Sequence, residues 1–302
     1  MSQRVTALEN EHSTQNPPTA PAVSKRQRDE SACCECATAR RENEYDKESG
    51  RKSTISAYII TKNEEQNIAR SIESVRWMNE IIVLDSGSTD KTVEIAERLG
   101  AKVSTAPFTT FYEQKGRAME LCSGEWTFNI DADEEISPEL RRSIEQVLSH
   151  DTGGEPYTYR IGRKNRYLGR WIRHCGWYPE YRTRLAKTGH ARWEGTIHEV
   201  LTVDGPAGTL AGDLLHRPYA DLGAHLKTID RYTSMWAHRE AKAGRTTGFF
   251  TIILRPIARF LKMYILRAGF LDLGPGFIAS VMGAWYTFMK YARLYELSRN
   301  RK

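Results

Sequence analysis

The sequence lacks the marks of secreted and membrane-spanning proteins. Its five cysteines among 302 residues have no regular spacing, which excludes a disulfide framework. The N-terminus has no apolar core segment, so we expect no secretory signal. The apolar, charge-free run Leu273–Met289 is interrupted by Gly and Pro and is shorter than the ~20 residues of a spanning helix. These absences predict a chain on the cytoplasmic side.

Two common phosphate-binding loops are also missing. The first predicted strand is not followed by G-x-G-x-x-G, and G-x-x-x-x-G-K-[ST] does not occur. Dinucleotide-binding and P-loop proteins are therefore excluded. If the chain binds a diphosphate, a metal ion held by carboxylates has to neutralise it.

Charge is distributed unevenly along the chain. Residues 245–302 hold ten Lys and Arg against two acids, a net charge of +8 in a chain whose total is +6. This localised charge predicts a surface that meets anions. Residues 1–53 are polar and rich in Ser, Thr, Pro and Ala, which predicts a disordered tail. Cys33, Cys34 and Cys36 in this tail could bind a soft metal, but no second ligand pair at zinc-like spacing follows.

The next region alternates between strand and helix patterns. Apolar runs predict strands, and residues such as Ile68, Ile72 and Val75 recur at helical spacing between them. This alternation predicts an α/β fold, a mostly parallel sheet sandwiched by helices, over residues 54–220. A helical region is predicted over residues 221–302. The predicted strands are Ile55–Thr61, Glu80–Asp85, Lys102–Thr105 and Trp126–Ile130.

Acidic and polar residues follow several of these strands. Ligands of parallel sheets bind beyond the carboxyl ends of the strands, so these residues should meet at one edge. Asp131 and Asp133 are two apart and point to the same side of an extended chain. Two carboxylates with open positions suit Mg²⁺ or Mn²⁺ holding a phosphate, although a solvated acidic loop is the alternative. The residues at this edge are Asn63, Glu64, Glu65, Asp85, Asp131 and Asp133.

Three ordered motifs carry a family resemblance. Residues 59–65 (IITKNEE), 83–90 (VLDSGSTD) and 131–134 (DADE) resemble the motifs of family 2 inverting glycosyltransferases, which have the GT-A fold and use nucleotide-diphosphate sugars. The resemblance runs from about Ile55 to the C-terminus. It is similar to the branch containing lipopolysaccharide core β-1,4-glucosyltransferases. The further segments that carry it are 176–179 (GWYP), 193–195 (WEG), 198–199 (HE) and 212–216 (GDLLH).

The resemblance implies roles for individual residues. Asp85 would contact the base or ribose, and Glu64 or Glu65 would support the nucleoside. Asp131 would lie near the ribose or diphosphate and beside the metal, and Asp133 would be the main metal ligand. His216 could be a further metal or phosphate ligand, with a structural histidine as the alternative. Gln114, Lys115 and Arg117 could reach the phosphate or sugar, or form a solvated helix face.

An inverting transfer needs one base to take the proton of the acceptor hydroxyl. Glu199 is the first candidate. Glu194 is the second, because its neighbour Trp193 could raise its pKa by desolvation, and Asp213 is the third. His198 could orient the base or be structural. The region 156–203 is rich in aromatic residues and Arg, which suits a phosphorylated glycan acceptor, nucleic acid, or an ordinary core with exposed Arg.

The C-terminal region has an amphipathic pattern. Arg255, Arg259 and Lys262 recur on one helix face, while Ile257, Leu261, Tyr264 and Ile265 lie largely on another. This pattern predicts peripheral membrane contact through residues 249–291, with a core helix as the alternative.

The sequence thus predicts a metal-dependent inverting hexosyltransferase peripheral to the inner membrane. It would use Mg²⁺ or Mn²⁺ and move glucose from UDP-glucose onto a lipopolysaccharide inner-core heptose or a related glycolipid. Rival hypotheses keep the donor but use a polyprenyl-phosphate or protein acceptor, or make the chain a non-catalytic nucleotide-sugar or nucleic-acid binding module. We do not expect nucleic acid as the partner.

Overall fold

The computed structural model describes residues 52–195 and 200–299 of the protein. Residues 1–51 of the predicted tail, with its three cysteines, lie outside the described residues. The strands are β1 Ile55–Thr61, β2 Glu80–Asp85, β3 Lys102–Thr105, β4 Trp126–Asn129, β5 Glu134–Ile136, β6 Thr158–Tyr167, β7 Arg170–Trp171, β8 Glu180–Lys187, β9 Ala191–Glu194, β10 Val200–Val203 and β11 Ala207–His216. The helices are α1 Ile68–Val75, α2 Thr92–Arg98, α3 Phe111–Glu120, α4 Pro138–Ser149, α5 Leu222–Lys242, α6 Phe249–Leu261 and α7 Leu273–Arg299.

Nine strands form one mixed sheet. Its order is β3-β2-β1-β4-β8-β6-β11-β5, with β7 paired to β6. The half from β3 to β4 is parallel, as the strand-helix alternation predicted. Beyond β4 the sheet is mixed, because β8 is antiparallel to both β4 and β6 while β11 is parallel to β6. The separate hairpin of β9 and β10 lies outside this sheet.

Local sequence signals account for the helix boundaries. The Ser137 hydroxyl accepts a hydrogen bond from the Leu140 amide, and Pro138 occupies the first turn of α4. Helix α2 ends before Gly100, whose φ of 88° is a left-handed conformation that favours glycine. Three of the four predicted strands have the predicted bounds, and Trp126–Asn129 is one residue shorter than predicted.

The two faces of the sheet bury different residues of the same strand. Ile59 of β1 belongs to a core with Ile72 of α1 and Ile144 of α4. Its neighbour Tyr58 packs on the opposite face, in a cluster with Ala118 of α3. This alternation follows from the period of two of a strand. The parallel pairing of β1 with β2 and β4 places the carboxyl ends of these three strands at one edge of the sheet.

The C-terminal helices leave much apolar surface uncovered. Ile252 is the one buried residue of α6, whereas Phe250 and Leu266 are 77% and 79% exposed. This exposure does not fit the core-helix alternative for α6, whereas α7 buries Ala279 and Met282. A π-helical turn, Lys262–Leu266, and a 3₁₀ turn, Gly269–Asp272, connect α6 to α7. No helix in residues 52–195 and 200–299 is long and apolar enough to cross a bilayer.

Candidate active site

The loops after β1 and β2 are joined by hydrogen bonds. Asn63 adopts a φ of 56°, which asparagine tolerates better than most residues, and its amide donates to Ser88 Oγ at 2.8 Å. Its side-chain Oδ1 accepts from the Thr89 amide at 2.8 Å. The buried Asp85 carboxylate accepts from the amides of Gly87 and Ser88 at 2.9 and 2.8 Å. These hydrogen bonds join the two loops into one side of the site, and the Asp85 carboxylate stabilises the loop after β2.

Glu64 turns from this side of the site toward the acidic loop after β4. Its carboxyl group is half-buried, and burial raises the pKa of Glu64, against a hydrogen bond from Asn67 and with a further contribution from the nearby Asp133 charge. Glu65 is exposed and accepts from the Lys91 amide at 3.2 Å. Glu64, rather than Glu65, thus faces the centre of the site.

Asp133 contacts His216 beside the antiparallel pair of strands β5 and β11. Strand β5 begins directly after Asp133 and pairs antiparallel with β11, so that Glu134 lies opposite His216. His216 Nε2 lies 3.1 Å from Asp133 Oδ2, and the Asp133 carbonyl accepts from the Arg217 amide at 3.2 Å. Two residues 83 positions apart in the sequence are thereby directed at one point.

The Asp133–His216 pair fits a divalent metal ion. His216 Nδ1 lies 2.6 Å from Asn165 Oδ1, an acceptor, so a metal ion bound at Nε2 would leave Nδ1–H to donate to this oxygen. Histidines that bind metals are oriented in this way by an acceptor on the other ring nitrogen. Adjacent ligands of an octahedral ion at 2.0–2.1 Å are about 3 Å apart, which matches the observed separation.

Asp131 has different partners from Asp133. Its carboxylate pairs with the Arg184 guanidinium at 2.7 Å and with Lys115 Nζ at 3.2 Å. Burial alone would raise the pKa of Asp131, but these two cations outweigh it and hold the pKa well below its usual range. In the part of the chain that the structure describes, no three His, Cys, Asp or Glu side chains form a metal cage. Asp131 as a third metal ligand stays a prediction.

Arg184 is a residue that the sequence interpretation missed. It lies in β8, is 4% exposed, and pairs with Glu134 at 3.0 Å as well as with Asp131 and Asn129. Glu134 is fully buried and also contacts Arg163 at 3.4 Å. This network fixes the backbone on both sides of Asp133. The available signal was a charged residue directly before the apolar pair Leu185-Ala186.

Lys115 belongs to the site rather than to a solvated helix face. It is 5% exposed, and its Nζ lies 4.9 Å above the Trp193 ring in addition to contacting Asp131. Gln114 is also buried and donates to the Pro107 carbonyl at 2.7 Å. The solvated alternative is therefore wrong for these two residues, whereas Arg117 is exposed.

Glu194 has none of the features expected of a desolvated base. It is exposed, accepts from Arg192 Nε at 2.6 Å and from Thr202 Oγ1 at 2.9 Å. The hydrogen bond from Arg192 lowers the pKa of Glu194, so the predicted rise was wrong. The physical reason is that Trp193 points to the other face of its strand, where its indole N–H donates to Tyr58 Oη at 2.8 Å.

The other candidate bases are Glu199 and Asp213. Glu199 and His198 lie outside the described residues, and their roles stay predictions. Asp213 lies in β11, where its amide donates to Ser137 Oγ at 3.0 Å and its carboxylate is 3.8 Å from Lys164. Strand alternation directs Asp213 and His216, three residues apart, to opposite faces.

The sequence pattern described as Glycosyl transferase family 2 matches residues 56–198. An uncharacterized glycosyltransferase of Rickettsia typhi is 33% identical over 255 residues, covering 81% of this chain and 87% of the relative. This chain belongs to glycosyl transferase family 2. It is therefore a glycosyltransferase, as the ordered motifs indicated.

Other relatives extend the comparison of this family 2 enzyme. The lipopolysaccharide core biosynthesis glycosyltransferase LpsC of Rhizobium meliloti is 30% identical over 259 residues, covering 81% of this chain and 93% of LpsC. A structure of glucosyl-3-phosphoglycerate synthase from Mycobacterium tuberculosis, in complex with Mn²⁺, UDP and glucosyl-3-phosphoglycerate, is 28% identical. Its TM-score is 0.32, and the match covers 38% of this chain and 44% of that one.

Proposed function

We propose that this glycosyltransferase is metal-dependent and inverting, and that it moves glucose from UDP-glucose onto a lipopolysaccharide inner-core heptose or a related glycolipid. The observation that carries the proposal is the Asp133–His216 pair at the edge of the sheet. The likeness to LpsC over 93% of that protein supports a lipopolysaccharide core acceptor. The resemblance to core glucosyltransferases is the reason for choosing glucose.

Asp133 and His216 would hold Mg²⁺ or Mn²⁺, and the ion would neutralise the leaving diphosphate. Asn165 orients the imidazole for this role through its 2.6 Å contact. Asp131 would lie beside the ribose or diphosphate, with Arg184 and Lys115 fixing its position. Because the guanidinium and ammonium already pair with Asp131, its carboxylate remains ionised throughout the physiological pH range.

The transfer itself would be a single displacement at the anomeric carbon. The acceptor oxygen forms its bond to that carbon as the bond to the diphosphate oxygen breaks, and the diphosphate keeps the electron pair. A carboxylate takes the proton of the acceptor hydroxyl. Glu199 remains our first candidate for this base, because Glu194 is paired with Arg192 and Asp213 turns away from the Asp133–His216 face.

We also propose peripheral membrane contact through residues 249–291. The surface of α6 and the turns after it combines exposed apolar side chains with the exposed cations Arg255, Lys262 and Arg267. The one acid between residues 249 and 291 is Asp272, which is buried and accepts from the Arg173 and His174 amides. Apolar groups with cations and without exposed acids suit an anionic lipid surface. Such contact would bring the enzyme to a lipid-linked acceptor on the cytoplasmic side.

Release of nucleotide diphosphate from a panel of UDP-, GDP-, CMP- and dTDP-sugars tests the function. The assay is run with Mn²⁺, with Mg²⁺ and with EDTA, beside Asp133→Ala and His216→Ala. We expect slow metal-dependent hydrolysis of UDP-glucose that both variants lose, and faster release when a heptose-terminated glycolipid is added. Hydrolysis that survives EDTA and Asp133→Ala would contradict the metal site. Transfer to a polyprenyl phosphate or a protein instead would keep the donor chemistry and change the acceptor.

A further inference from the structure

A cavity of about 220 Å³ lies between the sheet domain and the C-terminal helices. Its walls come from three separate parts of the chain: the turn before β8, the residues from β11 into α5, and the pair α6 and α7. Aromatic and sulfur-containing side chains dominate these walls. Among the lining residues are Trp177, Tyr219, Tyr232, Met263 and Tyr286, with Arg259 at one side.

This cavity adjoins the Asp133–His216 site. The Trp177 carbonyl accepts from Asn165 Nδ2 at 3.4 Å, and Oδ1 of the same asparagine contacts His216 at 2.6 Å. One side chain thus separates the cavity wall from His216. Tyr219 follows His216 by three residues and stacks on His225, with ring centroids 4.0 Å apart. A molecule in the cavity would therefore lie beside the donor site.

Arg259 gives the cavity an uncompensated positive charge. Within residues 52–195 and 200–299 its guanidinium makes no hydrogen bond or ion pair. Burial lowers the pKa of Lys290; Glu240 opposes this shift, whereas Arg239, Arg255 and Arg259 add to it. An arginine in this setting binds phosphate through two parallel N–H donors.

The size and lining of the cavity restrict its ligand. Pockets for drug-sized ligands measure about 300–1,000 Å³, so this cavity suits one sugar unit rather than a whole nucleotide sugar. Flat aromatic walls match the apolar C–H face of a sugar ring, and tyrosine hydroxyls and Arg259 supply the polar contacts. The cavity also lies against the helices proposed to contact the membrane.

We infer that this cavity is an acceptor subsite that binds a phosphorylated sugar unit, with Arg259 contacting the phosphate. The inference rests on the proposed function, because it assigns the cavity to the acceptor of the same reaction. It adds a substrate class, a saccharide carrying a phosphate monoester close to the hydroxyl that is glycosylated.

Kinetics of Arg259→Gln test this subsite. The assay measures transfer to a heptose-terminated glycolipid with its phosphates and to the same glycolipid after phosphatase treatment. We expect Arg259→Gln to raise the KM of the phosphorylated acceptor by about 10- to 100-fold, since a charge-assisted contact is lost. The KM of the dephosphorylated acceptor should be equally high in both proteins. Arg259→Lys should recover part of the loss, because it restores the charge without the fork of donors.

Lys227→Gln is the matched control. Lys227 is exposed on α5, next to the lining residue Thr228, and its removal changes the net charge equally without changing the cavity. We expect its KM to stay within about twofold of the parent. Equal effects of Lys227→Gln and Arg259→Gln would overturn the inference, as would a loss of donor hydrolysis in Arg259→Gln equal to its loss of transfer. Absence of donor hydrolysis in the parent protein would instead overturn the proposed function.

Binding experiments test the cavity independently of turnover. Calorimetric titration uses glucose 6-phosphate, glucose, inorganic phosphate and vesicles of phosphatidylglycerol as probes. We expect glucose 6-phosphate to bind more tightly than glucose or phosphate, and Arg259→Gln to weaken it about tenfold. No binding of glucose 6-phosphate at millimolar concentration, or binding no tighter than that of inorganic phosphate, would overturn the inference. An effect of Arg259→Gln on vesicles alone would assign the arginine to lipid and overturn it too.

Discussion

Individual charged residues control the geometry of the acidic loop. Arg184 pairs with Asp131 and Glu134, the residues on either side of the Ala132-Asp133 turn. The Asp133 carboxylate contacts His216 instead. The two acids of the motif therefore have distinct surroundings: Asp131 pairs with buried cations, and Asp133 contacts the His216 imidazole. A divalent ion is attracted to the second position rather than the first.

Replacement of Arg184 should destabilise the protein. Arg184→Met leaves the buried Glu134 and the part-buried Asp131 without their shared cation, and we expect a loss of about 3–5 kcal/mol in the free energy of unfolding. Urea denaturation measures the change. Arg182→Met, on the same strand but exposed, should cost less than about 0.5 kcal/mol. A cost below about 1 kcal/mol for Arg184→Met would contradict the role given to the network.

His225 should make stability depend on pH. Burial lowers the pKa of His225 to about 4, below its unfolded value of about 6.5. Because folding favours the neutral imidazole, this stabilisation is complete above pH 6.5 and is lost as the pH falls toward 4. We expect a loss of about 2 kcal/mol between pH 7.5 and 5, measured by urea denaturation, on the basis of this shift. His225→Gln should remove that loss, and the exposed His238→Gln should not.

The residues that sequence motifs could identify are those near strand ends. Asp133 and Glu64 follow apolar strands, and the rule for parallel sheets brings them to one edge. Arg184 and Asn165 could not be identified in this way, and Lys115 was a candidate only with a solvated helix face as the alternative. Each reaches the site from a strand or helix that pairs with the parallel half through antiparallel or helical packing, and no local pattern encodes that pairing. The predicted effect of Trp193 on the pKa of Glu194 was wrong for a related reason. The Trp193 indole bonds to Tyr58, which is 135 positions away in the sequence.

At the scale of elements, β11 determines where His216 lies. The strand pairs with β6 on one side and with β5 on the other, and its register with β6 shifts between Thr209 and Asp213. Gly212 lies in this shift with a φ of 89°. A Cβ there would lie 2.2 Å from the Leu140 amide nitrogen of α4. The irregularity thus depends on glycine and brings His216 into register with Glu134.

Gly212→Ala should therefore destabilise the fold. The left-handed conformation and the contact with α4 together should cost at least ~2 kcal/mol in the free energy of unfolding. Gly116→Ala in α3 is the matched control, because a Cβ there meets nothing within 4 Å. The control should be neutral or stabilise by about 0.5–1 kcal/mol, since alanine favours helix. Chemical denaturation of both variants compares them, and equal effects would contradict this account of β11.

The strand-helix alternation was predictable from hydrophobic periodicity because β1 to β4 and their helices are local patterns with local caps. The mixed second half was not. Strands β8 and β11 are half-polar, and their neighbours in the sheet are distant in sequence. Periodicity indicates that such segments are strands but carries no information about their partners.

At the scale of the whole molecule, the sheet edge adjoins the C-terminal helices. Asn165 lies between the Asp133–His216 pair and the wall of the cavity, and contacts both His216 and Trp177. Beyond the cavity, α6 presents apolar side chains and cations outward. This order would let a lipid-anchored acceptor reach the donor site from the membrane surface.

Vesicle flotation tests the proposed membrane contact of α6 and the turns after it. The double variant Phe250→Ser/Leu266→Ser removes two strongly exposed apolar side chains, each worth about 1.5–3 kcal/mol when buried in lipid. We expect its partition onto phosphatidylglycerol vesicles to fall at least about tenfold, and binding of the parent protein to weaken with salt. Met235→Ser, which removes an exposed side chain of α5, should have no effect. Unchanged vesicle binding of the double variant would contradict membrane contact through this surface.

The central claim is that Asp133 and His216 together bind the divalent ion that holds the donor diphosphate. Titration of Mn²⁺ in the presence of UDP, followed by the electron paramagnetic resonance signal of free Mn²⁺, tests it most directly. We predict one bound ion in the parent protein, its loss in Asp133→Ala and in His216→Ala, and about tenfold weaker binding in Asn165→Ala. Mn²⁺ binding by His216→Ala with the affinity of the parent protein would contradict the account.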